Sequence, residues 1–125
     1  MVSKKTIMNK RYLRKLYECF KDLPPFNELR MPPSRKVTFE ITDAEDYMGL
    51  FIPEPMRIQI STLNETFYQI TETMLHEMVH VYFYYNHHKD YDQHRKKFKD
   101  MSDEICEILL ISREHFVWQV YNKML

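Results

Sequence analysis

Two cysteines in 125 residues, Cys19 and Cys106, are too few and too isolated to build a disulfide framework or a zinc ribbon. They are expected to be plain buried residues, in a reducing, intracellular compartment (cytoplasmic or nuclear). No apolar run approaches the ~20 residues of a membrane span. The basic start, MVSKKTIMNKRYLRKL, lacks the apolar stretch of a secretory signal. Excess charge of one sign is also missing: eighteen Lys/Arg cancel eighteen Asp/Glu, which argues against a uniformly basic exterior made for polyanions. Internal repeats and low-complexity tracts are absent. Glycine occurs once, at Gly49, so proline punctuates the chain, paired at Pro24-Pro25 and Pro32-Pro33.

What is present suffices for one packed domain over residues 1–125. Apolar residues make up 44% and charged residues 29%, a core-forming composition and not a disordered one. A chain this long buries roughly two-thirds of its unfolded surface and needs no covalent staples. The balanced charge hides a gradient. Residues 1–36 carry ten basic side chains against three acidic, and residues 37–75 carry one against seven.

Periodicity divides the chain into elements. Ile7, Leu13, Leu16, Phe20 and Leu23 recur at helical spacing among Lys and Arg, which predicts an amphipathic helix over about 6–22. After an irregular connector to about Arg35, Val37, Phe39 and Ile41 alternate with Thr38, Glu40 and Thr42, the period of a half-buried strand. Tyr47 to Ile52 and Arg57 to Ser61 read as two more strands, and the expected sheet is antiparallel throughout. From Asn64 the helical period returns. Phe67, Ile70, Met74, Met78, Val81 and Tyr85 form one stripe, flanked by Leu75, Val79 and Tyr82, so this helix should be central and buried. Asn64-Glu65-Thr66 reads as capping at its start. His87-His88-Lys89 should end it, with the two histidines solvated at the helix end. Asp90 or Asp92 is the expected cap of the next helix, whose inward stripe is Phe98, Met101, Ile105 and Leu109, with His94 one turn earlier. Arg113 to Leu125 reads as a last helix. The fold class is thus α+β, with a small three-stranded sheet and a helical C-terminal half.

The central helix contains His76-Glu77-Met78-Val79-His80, an H-E-x-x-H sequence. Residues four apart share a helix face, about 6 Å apart along the axis, so two imidazoles can converge on one metal. Neutral imidazole suits Zn²⁺, and Glu77 can reach a zinc-activated water without replacing it, as general base. His76 and His80 lie about 200° around the helix from Met74 and Met78, on a face expected to open to a cleft that Tyr84 would line. Catalytic zinc takes three protein ligands and leaves a position for water. His87 and His88 lie too far along the helix to be the third. His94 is better placed, with Glu104 and Glu107 as the alternatives. Asn86 stands where a compact H-E-x-x-H-x-x-G-x-x-H signature would need histidine, which excludes a metzincin.

The run ITETMLHEMVHVYFYYNHHKDYDQHRKKFKDM, residues 70–101, resembles the catalytic core of the SprT-like metalloprotease family. The shared features are the H-E-M-x-H helix, a polar break, and a later histidine followed four residues on by Phe, here His94 and Phe98. MGLFIPEPMRIQIS resembles the hairpin that precedes that helix. The resemblance implies a zincin-like fold in which His76, His80 and His94 bind zinc and Glu77 is the catalytic base. The family's usual Gly after the third histidine is Arg95 here, and its frequent cysteine-rich zinc module has no counterpart. The implied activity is peptide hydrolysis on protein or peptide substrates, which would add as an extended strand along a sheet edge. The family's work on proteins crosslinked to DNA makes DNA a candidate partner. Lys4, Lys5, Lys10, Arg11, Arg14 and Lys15 would track phosphates, although a solvated face is the simpler account of that charge. The competing reading is a zinc-stabilised binding module without turnover. A third is a proenzyme whose N-terminal helix covers the cleft.

Overall fold

The computed structural model describes residues 8–111. Lys4, Lys5 and the expected C-terminal helix over 113–125 lie outside the described residues. The first helix, α1 (Lys10–Lys21), starts at Asn9, whose side chain accepts from the Tyr12 N–H and satisfies one of the free donors of the first turn. Its inward residues Leu13, Leu16 and Tyr17 are buried, while Phe20 is half-buried and Leu23 is exposed. Cys19 is exposed on this helix, contrary to expectation, and Cys106 is buried. Two short 3-10 turns, Phe26–Glu28 and Ser34–Lys36, carry the proline-rich connector, which is anchored where the Tyr17 hydroxyl donates to the Pro32 carbonyl at 2.6 Å.

The sheet consists of β1 (Thr38–Thr42), β2 (Gly49–Ile52) and β3 (Arg57–Ser61), in the order β1-β3-β2. It corrects the antiparallel expectation: β1 pairs with β3 in parallel, and only β2 and β3 are antiparallel. The last strand inserts between the first two. The residues after β1 therefore cross the width of a strand instead of closing a hairpin, an outcome that period-2 alternation cannot specify because it encodes faces and not neighbours. The apolar rows are Phe39–Ile58–Phe51 and Ile41–Ile60–Gly49. On the other face, Glu40 accepts from Arg57 and Gln59, and the Tyr47 hydroxyl donates to Gln59. One face is thus dry and the other hydrogen-bonded at the surface.

Against the sheet lies α2 (Phe67–Tyr85), which also contacts α1 and α3 (Lys96–Leu109). It begins with a capping box: the Gln69 N–H donates to the Thr66 hydroxyl, while the Gln69 side chain accepts from the Thr66 N–H. Residues 72–81 are all buried, so the helix sits in the middle of the domain as its composition predicts. Phe67 is the exception on the expected stripe, 62% exposed with its ring edge toward Tyr12. In α3, Phe98, Met101 and Ile105 are buried and Leu109 is half-buried, as its period predicts. Its start is later than expected. Arg95 is the N-cap, without a side-chain bond, and neither Asp90 nor Asp92 caps it. Among the described residues no helix is long and apolar enough to cross a membrane.

Candidate metal centre

The H-E-x-x-H segment occupies the third and fourth turns of α2, where it meets β2 on one side and the loop before α3 on the other. His76 and His80 project from one face of the helix. His94 reaches them from the loop, two residues before α3 begins, and not from the first turn of that helix as its phase suggested. The three Nε2 atoms are separated by 3.2, 3.2 and 3.1 Å. Tetrahedral ligation at about 2.0–2.1 Å places neighbouring nitrogens about 3.3–3.4 Å apart. The trio therefore fits a single metal ion with almost no movement, and these three residues are the metal-capable cluster among the described residues.

The tautomers support the same conclusion. The Nδ1–H of His80 donates to the Tyr91 carbonyl at 2.6 Å. A carbonyl can only accept, so Nε2 of His80 carries the lone pair and presents it to the other two rings. Burial holds all three imidazoles below the ordinary histidine value, with each other's charge a lesser cause at His76 and His80. His76 is pushed well down and His80 to about 4, while His94 is lowered as well. Neutral at pH 7, they are electron-pair donors in the form a cation needs. The Phe98 ring lies under the trio, its centroid 4.8 Å from His76, 4.7 Å from His80 and 4.8 Å from His94.

Glu77 is fully buried beside this cluster, with Oε2 4.0 Å from His76 Nε2. Neither of its oxygens has a hydrogen-bond partner. Desolvation pushes the carboxyl well above the usual range. The Phe51 backbone N–H pulls weakly the other way without reaching hydrogen-bond geometry. A buried carboxylate with nothing to bind is costly unless a ligand completes its surroundings. A cation at the histidine cluster, with water, would do so, and the residues present therefore fit a metal.

The face carrying the motif does not open broadly. His76 and Glu77 have no exposure and His80 has 2%. Access is through a cavity of about 150 Å³ lined by Leu50, Phe51, His80, Asp92 and His94. Among the described residues, none of α1 is in that lining. Tyr84 lines an adjoining cavity of about 420 Å³ instead, its ring against Phe51 and Tyr91 and its hydroxyl donating to Glu54. His87 is exposed at a left-handed turn (φ 64°), and His88 packs beside Tyr82 and Phe83; neither approaches the cluster. Glu104 and Glu107 are exposed on α3 and take no part.

Sequence reasoning passed over two contributors, Tyr91 and Gly49, and named a third, Phe98, without its place beneath the rings. Tyr91 acts through its carbonyl, which no side-chain pattern reports. Phe98 reads as an ordinary core position, although its spacing after His94 is visible. Gly49, at the start of β2, sits against Glu77, and the scarcity of glycine was the available signal.

Searches among curated proteins and among solved structures gave no match. The family model described as "SprT-like family" matches residues 25–118, a stretch that contains the sheet, the histidine cluster, Glu77 and Phe98. With three-quarters of its length covered by that match, the chain belongs to the SprT-like family.

Proposed function

We propose that this domain is a zinc-dependent peptidase in which His76, His80 and His94 hold the metal and Glu77 is the general base. The observation that carries the reading is the convergence of three Nε2 atoms within 3.2 Å beside a buried, unpartnered carboxylate. When bound, zinc supplies Lewis acidity, which polarises a scissile carbonyl and acidifies water near neutral pH. Three imidazoles leave one position of a tetrahedral site open, as a catalytic site requires and a closed structural site does not. Glu77 accepts a proton from water at its carboxylate and returns it to the departing amine. Its burial serves that task, because a raised pKa makes it a stronger base than an exposed carboxylate. Phe98 and the Tyr91 carbonyl keep the three rings from turning.

The choice of a peptide substrate rests on β2. Among the described residues this strand pairs with β3 alone and forms an edge of the sheet. Leu50 and Phe51 on β2 line the same cavity as His80 and His94. An extended segment adding to that edge would carry its backbone past the metal. Exposed Lys10, Arg11, Arg14 and Lys15 on α1 support DNA as a recruiting partner.

The test is metal content and casein cleavage together, for wild type and Glu77→Gln, with and without single-stranded DNA. One zinc per chain and cleavage lost in Glu77→Gln are expected. Stimulation by DNA would support the recruiting role. Zinc without cleavage would favour the binding module, a reading that the role of His94 in tying the loop to α2 also serves. Absence of metal under non-chelating conditions would refute both.

A further inference from the structure

We propose that Asn64 and Thr73 form a buried clasp which, through Gly49, fixes where the Glu77 carboxylate lies; both are positioning residues for the base. The inference rests on the reading of Glu77 given above and adds residues outside the H-E-x-x-H motif. Asn64 is fully buried, and capping of α2 is done by Thr66 and Gln69. Asn64 does something else. Its Nδ2 donates to the Met48 carbonyl at 3.0 Å and to the Ser61 carbonyl at 2.8 Å, and its Oδ1 accepts from the Thr73 hydroxyl at 2.7 Å. One side chain thereby joins the start of β2, the end of β3 and the second turn of α2.

Gly49 follows Met48 directly, and the clasp presses its backbone onto the helix. A Cβ there would lie 2.5 Å from Thr73 Cγ2, 3.0 Å from Glu77 Oε2 and 3.3 Å from the Gln59 carbonyl. No left-handed backbone angle calls for glycine at this position. The requirement is for space alone. Glu77 is thus bounded by the β2 backbone on one side and by His76 on the other. No hydrogen bond orients either of its oxygens. Its rotamer is held by that wall, and the clasp sets where the wall stands. A side chain with three rotatable bonds would otherwise be free to swing, and misplacement by about 1 Å can cost on the order of a hundredfold in rate.

The experiment uses the zinc-loaded protein with casein peptides, and the EDTA-treated protein in urea. Thr73→Val removes the hydroxyl and keeps the shape. It should retain one zinc per chain and a near-normal KM while kcat falls about ten- to a hundredfold. Thr73→Ser keeps the hydroxyl and is the conservative rescue, returning kcat to within about twofold of wild type. Gly49→Ala should lose kcat, and Gly49→Ala with Thr73→Ser should recover part of it, because the methyl group that clashes is gone. In urea, the 49/73 double-mutant cycle should show matching favourable coupling without metal or turnover. Zinc-loaded Thr73→Val or Gly49→Ala with wild-type kcat would overturn the proposal, as would losses matching only the folded fraction, or an absence of coupling in the cycle. A wild type without Glu77-dependent turnover would instead refute the peptidase reading, while the urea cycle, with Thr73→Val and Asn64→Ala unfolded alongside it for coupling between those two sites, would still decide the clasp and its wall.

Discussion

Glu77→Gln should make the metal-free domain more stable while removing its activity. Glu77 is fully buried, and both oxygens lack partners. Desolvation raises its carboxyl well above the 4.5 of the solvated group. For each pH unit over which the fold keeps the group protonated while the unfolded chain ionises it, stability falls by about 1.4 kcal/mol. Glutamine removes that cost but leaves an amide in the same partnerless site, worth about 1–3 kcal/mol of lost hydration. The glutamine variant should therefore gain on wild type by about 1.4 kcal/mol per pH unit as pH rises through that window, at roughly 4–8 °C in Tm per kcal/mol for a domain near 100 residues. The sign with pH follows from the direction of the shift. A folded value raised above the unfolded one means that the penalty is absent below about pH 4.5 and grows as pH rises toward the folded value. Urea unfolding of both proteins in EDTA, at pH 5.5 and pH 8, measures this. The histidines are common to both proteins and cancel in the difference. A glutamine variant no more stable than wild type, or an advantage that shrinks with rising pH, would refute the reasoning.

His94→Ala should lower zinc affinity at least about a hundredfold in chelator competition; unchanged affinity would mean that the exposed Glu104 or Glu107 replaces it. In the metal-free Glu77→Gln domain, whose buried carboxyl no longer titrates, stability should fall as pH drops from 7 toward 5. His76 and His80 stay neutral in the fold below the value at which the unfolded chain takes up protons, so acid favours the unfolded state, by about 1.4 kcal/mol per pH unit for each proton. Thermal melts in EDTA that stay flat over this range would contradict that account. Phe98→Ala should cost about 3–5 kcal/mol as a core truncation. It should also weaken zinc binding, because the surface beneath three imidazoles is gone. Calorimetric zinc affinity equal to wild type in the folded variant would remove Phe98 as a support.

The legible parts of this protein are those encoded locally. His76, Glu77 and His80 share one helix, and four-residue spacing fixes their common face whatever surrounds them. Alternation gave the faces of β1 and β3, and the Ser/Thr/Asn chemistry at 64–66 gave the start of α2. His94 was found by phase and by family resemblance, yet the turn that carries it is irregular, and its place in a loop was not visible. Strand neighbours were not visible either, since alternation in Thr38–Thr42 looks the same beside a parallel or an antiparallel partner. Tertiary structure alone decided that β3 enters between β1 and β2, which puts β2 at the edge of the described sheet, beside the histidines. It also decided that Gly49 meets Glu77 and that Asn64 reaches Met48, contacts between residues 28 and 16 positions apart. The sequence by itself determined that His76 and His80 could share a metal, because helical spacing is a property of the backbone. The gap around Glu77 depends on how close three separate elements approach, and only their combined packing sets that distance.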